Sequence, residues 1–362
     1  MRHPFEHVTR SLCRGSGKRA TASAERWRRR ALFVAVAAMS AAGAPCLADG
    51  VAGFYKGRTI EVYVAGGAGG GYDLYARVLS EFMTAHIPGS PAMVPRIMSG
   101  SGGVKAANYV YNVAPKDGSA IALLLSSQPT TEAIGRAGVK YKSANLSWIG
   151  RIVDIVSAVT VKRHGPATTV EELKKTELVA GATGPGSTTH MPFAMMNWAL
   201  GTRFRIVNGY KGSAGPALAF DRGEVQAASA PWDTIVTRRP HLLKEIQLVQ
   251  VALEKNRAHP NVPLLLDLVT DPEKKAAVTF LSAQASIGRT VSAPPRVPEE
   301  RVVALRKAFD ATMKDRKFIA AVKQRRMDLA PLNGEQVEKL VLEHLSTPGG
   351  IVRIAKEAAG MK

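Results

Sequence analysis

The stretch Thr59–Arg77, TIEVYVAGGAGGGYDLYAR, constrains the fold of this chain more than any other. Ile60, Val62 and Val64 alternate with the period of a half-buried strand, whereas Leu74, Val78, Leu79, Phe82, Met83 and Ile87 fall on one face of a helix. Between them, five of the six residues from Gly66 to Gly71 are glycine. Strand, glycine loop and helix recur at once. Pro88-Gly-Ser-Pro91 stops the helix, Met93–Met98 reads as a strand, and Ser99–Gly103 leads into a helix at Val104–Asn112. Pro115–Gly118 is a turn before the apolar strand Ala120–Leu125. A β-α-β-α-β series predicts an α/β fold with mainly parallel sheets flanked by helices.

From Trp148 the pattern starts again. Trp148–Val153, Ser157–Lys162, Leu178–Ala182, Arg205–Asn208, Val225–Ser229 and Ile246–Leu253 read as strands, and Ser187–Leu200 and Ala214–Asp221 as helices. Thr169-Val-Glu-Glu172 has the spacing of a capping box. Gly288–Ser292 reads as a strand returning to the first unit, followed by helices at Glu299–Met313, Arg316–Arg325, Asn333–Leu345 and Gly349–Ala359. The expected division is residues 49–155 in a first domain, 156–285 in a second, and 286–362 back in the first. Two such units joined by crossings describe a hinged binding protein, because open α/β sheets bind ligands beyond the C-terminal ends of their strands.

Residues 1–48 are set apart as an export signal. Residues 1–30 carry nine Lys/Arg against two Glu, the apolar run Ala31–Ala44 follows, and small residues lead to Ala48. Fourteen residues are too short to span a bilayer comfortably. Cleavage after Ala48 would leave 314 of the 362 residues and remove both cysteines, Cys13 and Cys46. The formal charge of +20 falls to near +13 without the +7 of residues 1–30. No zinc-finger spacing, arginine-rich arm or RNA-binding signature accompanies that surplus, which suits anionic small molecules better than nucleic acid.

The glycine loop does not match the common nucleotide motifs. Gly66-x-x-x-x-Gly71 is half a P-loop, but Tyr72-Asp73 stand where Lys and Ser/Thr are required. The dinucleotide pattern fails because Gly67-x-Gly69 is followed at the needed position by Tyr72. What remains is a loop whose amides can converge on a small anion at a helix N-terminus, through Gly67, Gly69, Gly70, Gly71 and Tyr72, with a tight strand-to-helix turn as the alternative role. Gly181-Ala-Thr-Gly-Pro-Gly-Ser-Thr-Thr-His190 is its counterpart in the second unit, with Gly184, Ser187 and Thr188 as candidate contacts and helix capping as the alternative role. Ser126 and Gln128 follow the strand Ala120–Leu125 onto the same rim; they bind a ligand or cap the next helix. Trp232 and Asp233 follow the strand Val225–Ser229, as cleft wall or core anchor. Ser187 and His190 are three apart without a nucleophile elbow, and no spacing suggests a metal site or a cofactor. Asp73 and Arg77 are four apart and can pair along the helix.

Taken in order, FYKGRTIEVYVAGGAGGGYDLYAR with Asp73-x-x-Ala-Arg77, Ser99-Gly-Ser-Gly-Gly103 before Ala-Ala-Asn-Tyr109, Ala114-Pro-Lys-Asp-Gly118, Thr183-Gly-Pro-Gly-Ser187 and Tyr210-Lys-Gly-Ser-Ala-Gly-Pro216 resemble the Bug-type receptors of tripartite tricarboxylate transporters. The resemblance implies a two-domain periplasmic-binding-protein fold of type II with the ligand cleft between the domains. It also implies a monomeric, non-catalytic periplasmic receptor for a small organic acid, which it delivers to an integral-membrane permease with one large and one small subunit. Carried over by motif, the contacts would be the Gly67–Tyr72 loop with Gly184, Ser187 and Thr188. Two departures stand out: Val64-Ala65-Gly66 replaces a proline-bearing form, and Trp232-Asp233 replaces a different segment. The reading from another class is an exported enzyme acting on a small anion, which needs a nucleophile–base pair.

Overall fold

A computed structural model describes residues 45–360. The expected export signal, residues 1–48, lies outside the described residues in all but its last four positions.

Among the described residues, eleven strands form two sheets. The first contains β1 (Thr59–Val64), β2 (Ala92–Ile97), β3 (Ala120–Leu123), β4 (Ser147–Arg151), β10 (Thr290–Ala293) and β11 (Leu332–Asn333), in the order β11-β4-β10-β3-β1-β2. The second contains β5 (Ser157–Val161), β6 (Leu178–Gly181), β7 (Phe204–Val207), β8 (Ala227–Pro231) and β9 (Ile246–Val251), in the order β7-β6-β8-β5-β9. β1 runs parallel to β2 and β3, and β6 runs parallel to β7 and β8. These are the pairs that helices connect, and parallel neighbours require such a crossover. The antiparallel pairing comes from strands next to the crossings. β10 lies antiparallel between β3 and β4, and β5 lies antiparallel between β8 and β9.

Each sheet has its own core. Ile60, Val62, Leu79, Ile121, Leu123, Ile149, Val291, Leu305 and Phe309 are fully buried in the first. Val159, Val161, Ala180, Phe193, Met195, Val249 and Leu281 are fully buried in the second. β3 and β5 are buried on both faces, as expected for strands covered by helices above and below.

Two details differ from the sequence expectation. The helix expected at Ser187–Leu200 begins at Met191, with Ser187–His190 forming a separate turn before it. Pro192 explains the boundary, since a residue without an N–H and with fixed φ belongs in a helix's first turn. The last helix, Gly349–Ala358, does not return to the first sheet. It packs against the helices Pro272–Ser282 and Met191–Leu200, with Ala355, Ala358 and Ala359 fully buried in the second core. A face of small residues allows that close helix–helix approach.

Candidate functional site

The glycine loop is organised by the acid that follows it. Asp73 is buried, its Oδ2 accepting the Gly69 N–H at 2.9 Å and its Oδ1 accepting Arg77 Nε at 2.7 Å. The carboxylate is therefore spent inside its own turn. Gly70 caps the helix Gly71–Met83 without a side-chain bond, and among the described residues the first-turn amides of Gly71, Tyr72 and Asp73 find no acceptor. Uncapped amides at a helix N-terminus carry partial positive charge suited to an anion.

Beneath the loop lies a buried ion pair. Arg289, immediately before β10, donates from Nε to Asp233 Oδ2 at 2.9 Å and from Nη2 to Asp233 Oδ1 at 2.8 Å; Nη2 also reaches Thr234 Oγ1 at 3.1 Å. Its guanidinium lies 4.6 Å from the Tyr72 ring centre and 4.8 Å from that of Tyr75. Burial works against the charge of Arg289, but the Asp233 carboxylate outweighs it and raises the arginine above its ordinary pKa. Burial likewise pushes the Tyr72 hydroxyl up, so Tyr72 stays neutral and accepts the Ser126 N–H at 2.9 Å. A Cβ on Gly71 would collide with Thr234 Oγ1 and come within 2.5 Å of Arg289 Nη2.

A cavity of about 370 Å³ opens above this loop, at the C-terminal ends of the parallel strands. From the first sheet it is lined by Ala65–Gly67, Gly70, Tyr72, Ser99–Gly103 and Leu125; from the second, by Thr183, Thr188, Thr189 and Gly209–Ser213. The two sides touch at glycines. A Cβ on Gly67 would lie 2.6 Å from Gly212 Cα, and one on Gly102 would lie 2.9 Å from the Pro185 oxygen. Among the described lining residues Lys211 is the only charged side chain, and it makes no ion pair with a described residue. Backbone amides, hydroxyls and one ammonium form a lining suited to an anion. A larger hollow of about 770 Å³ around Trp232, Asp233 and His259 is lined by charges of both signs and by neither glycine loop.

Of the residues selected from sequence, Gly67, Gly70, Tyr72 and Thr188 line the smaller cavity. The others, Trp232 and Asp233 apart, lie around it. Gly69 is held by Asp73, and Gly71 rests on Arg289. Gln128 is buried, with Nε2 donating to the Gly102 oxygen at 3.0 Å, so it braces the Ser101–Gly103 turn. Tyr141 OH holds the same glutamine by its Oε1 at 3.0 Å. Gly184 packs against the Gly102 amide. Ser187 is buried and its Oγ bonds Thr189 Oγ1 at 3.0 Å. Ser126 lies below Tyr72.

Trp232 and Asp233 do not line the glycine-lined cavity and border the larger hollow instead, in contacts that suit the core-anchor alternative. Trp232 stacks on His259 at 3.7 Å and donates Nε1–H to Gln250 Oε1 at 2.9 Å. Asp233 is consumed by Arg289. Their strand end turns at once into the helix Trp232–Arg238, which carries both side chains toward the crossing segments. Two further segments, Ser99–Gly103 and Gly209–Ser213, complete the lining. Their signal is a Ser/Gly run directly after a strand, the same one that marks the first loop.

The enzymatic alternative finds no support in the geometry. His190 Nδ1 bonds Asn208 Oδ1 at 3.0 Å and its pKa is lowered by burial, while Ser187 bonds Thr189. Among the described residues no cluster of His, Cys, Asp and Glu could hold a metal ion, and no helix is long and apolar enough to cross a membrane.

The family described as "Tripartite tricarboxylate transporter family receptor" (TctC) matches residues 76–356. No curated protein sequence matches. Among solved structures, the periplasmic binding protein BugD is 21% identical, with a TM-score of 0.70 over 85% of this chain and 99% of that one. A Rhodopseudomonas palustris protein, Rpa4515, solved with adipate, is 19% identical, with a TM-score of 0.66 over 84% and 97%. MatC from the same organism, solved with malate, is 20% identical, with a TM-score of 0.64 over 82% and 99%. These likenesses establish the two-sheet periplasmic-binding-protein fold. The family match covers most of the chain and is to solute-binding receptors rather than enzymes: this protein belongs to the receptor family of the tripartite tricarboxylate transporters.

Proposed function

We propose that this chain, freed of its export signal near Ala48, works in the periplasm as a monomeric receptor. In this reading it captures a small organic carboxylate between the glycine loops and delivers it to a membrane permease with one large and one small subunit. The observation that carries the reading is the lining of the 370 Å³ cavity: hydroxyls, Lys211 and the N-terminus of the helix Gly71–Met83, without a carboxylate among its described residues. The volume lies within the ordinary range for small-molecule pockets. The relatives solved with adipate and malate make dicarboxylates the first compounds to test. The proposed frame assigns residues 49–155 and the segment from 286 through the helix Gly334–Leu345 to one side of the cleft. Residues 156–285 form the other, joined by the last helix.

Titration calorimetry of the mature protein against dicarboxylates and their methyl esters tests the proposal. Losing a hydrogen bond to a charged group costs roughly 1.5–3 kcal/mol, about ten- to a hundred-fold in affinity, so the esters should bind that much more weakly. Equal affinities for acid and ester would overturn it.

A further inference from the structure

At the floor of the cleft, next to Tyr72, a second and much smaller cavity of about 20 Å³ lies where the two sheets and the crossing helices meet. Ser126, from the turn after β3, and Thr188, from the second glycine turn, form part of its wall. Ser157 at the start of β5 and Ser282 and Gln284 at the crossing complete the polar side. Ser126 and Ser282 are 1% exposed and Gln284 is 7% exposed. Ser126 Oγ, Ser282 Oγ and Gln284 Oε1 are all shut off from bulk solvent without a hydrogen-bond partner among the described residues. Gln284 Nε2 donates to the Leu281 oxygen at 2.8 Å, which fixes the amide and leaves its oxygen as an acceptor in need of a donor.

Buried polar atoms are nearly always satisfied, and three of the seven side-chain atoms left without a partner among the described residues belong to residues that line this one cavity. Size decides what it is. One water needs roughly 10–15 Å³ and two to four polar partners, so the cavity has room for one water and is too small for a carboxylate group. We infer that this cavity is an internal hydration site, in which one water molecule is bound by Ser126 Oγ, Ser282 Oγ and Gln284 Oε1. Three bonds are then made: the water donates to Gln284 Oε1 and to one serine, and accepts from the other. The site ties the turn after β3, and through it Tyr72, to the helical segment that leads into β10. It stands whether or not the larger cavity binds a carboxylate.

A crystal structure at a resolution that defines ordered water tests this directly. The expected result is a single peak about 2.7–3.2 Å from all three atoms. Direct bonds among the three atoms, a floor open to bulk solvent, or a peak ringed by five or more oxygens as for a cation would each overturn it. In solution, oxygen-17 relaxation dispersion counts long-lived internal waters. Ser282→Val, which fills the cavity with methyl groups, should lower the count by one. Ser126→Ala keeps the volume and serves if the valine variant does not fold; it should shorten the residence time of one water. An unchanged dispersion profile in a folded variant refutes the site.

Discussion

Gly67 and Gly212 meet backbone to backbone across the mouth of the cleft, one from the loop after β1 and the other from the loop after β7. Neither tolerates a side chain at this separation, so the contact defines how closely the two rims approach. Gly67→Ala should hold them apart. Overpacking a close contact costs typically 1–3 kcal/mol, which corresponds to a carboxylate affinity weakened by about five- to a hundred-fold. Calorimetry reads the loss, and X-ray scattering should show the ligand-bound form remaining wider than wild type. Unaltered affinity would mean that closure does not depend on this contact.

Asp233→Asn should be among the more damaging substitutions in the molecule, although its carboxylate does not face the glycine-lined cavity. It strips the counter-charge from a guanidinium that is 1% exposed. Breaking a buried pair from one side costs about 3–5 kcal/mol, whereas replacing both partners by apolar residues is often neutral. Urea unfolding should show that loss for the single variant and recovery of much of it in Asp233→Leu/Arg289→Met.

Asp73→Asn should be mild. An asparagine oxygen still accepts the Gly69 N–H, so the loss is confined to the bond with Arg77, whose side chain is 58% exposed. Such half-exposed pairs contribute about 1 kcal/mol or less. Carboxylate affinity should hold or rise slightly as a negative charge near the helix N-terminus disappears. A large loss of affinity with an unchanged melting temperature would place Asp73 on the ligand.

His344 makes stability depend on pH. Its Nε2 bonds Thr130 Oγ1 at 2.9 Å, its ring stacks on Phe280 at 4.4 Å, and burial lowers its pKa to about 4. The unfolded chain takes up this proton near pH 6.5 and the folded chain only near 4. Stability is therefore full above 6.5, falls as pH drops through that window, and loses nothing more from this group below it. The loss is of the order of 3 kcal/mol. Urea unfolding at pH 4.5 and 7.5 should show a smaller difference for His344→Gln than for wild type.

The strands and both glycine turns were readable because each leaves a local mark, an alternating or apolar run followed by glycine and hydroxyl residues. Val104–Asn112 forms the helix its pattern predicts. What could not be read was set at long range. Trp232 and Asp233 sit at a strand end as ligand residues do, but their partners, Gln250, His259 and Arg289, come from elsewhere in the chain. Nothing near residue 233 announces a guanidinium supplied by residue 289. Conversely, Gly212 looks like one more flexible turn until Gly67 is placed against it. The late start of the helix at Met191 was legible in Pro192 and simply carries a rule about proline.

The position of β10 has a consequence for the order in which the molecule assembles. Residues 290–293 form an interior strand of the first sheet, inserted between β3 and β4. A chain emerging from its N-terminus therefore has a gap in that sheet until all of β5–β9 has been made. The second core in turn waits for Ala355, Ala358 and Ala359. Contacts so distant in sequence close slowly, since the loop entropy is lost before the contact forms. Both halves thus reach completion together and late, and a nascent chain stays threadable for most of its length.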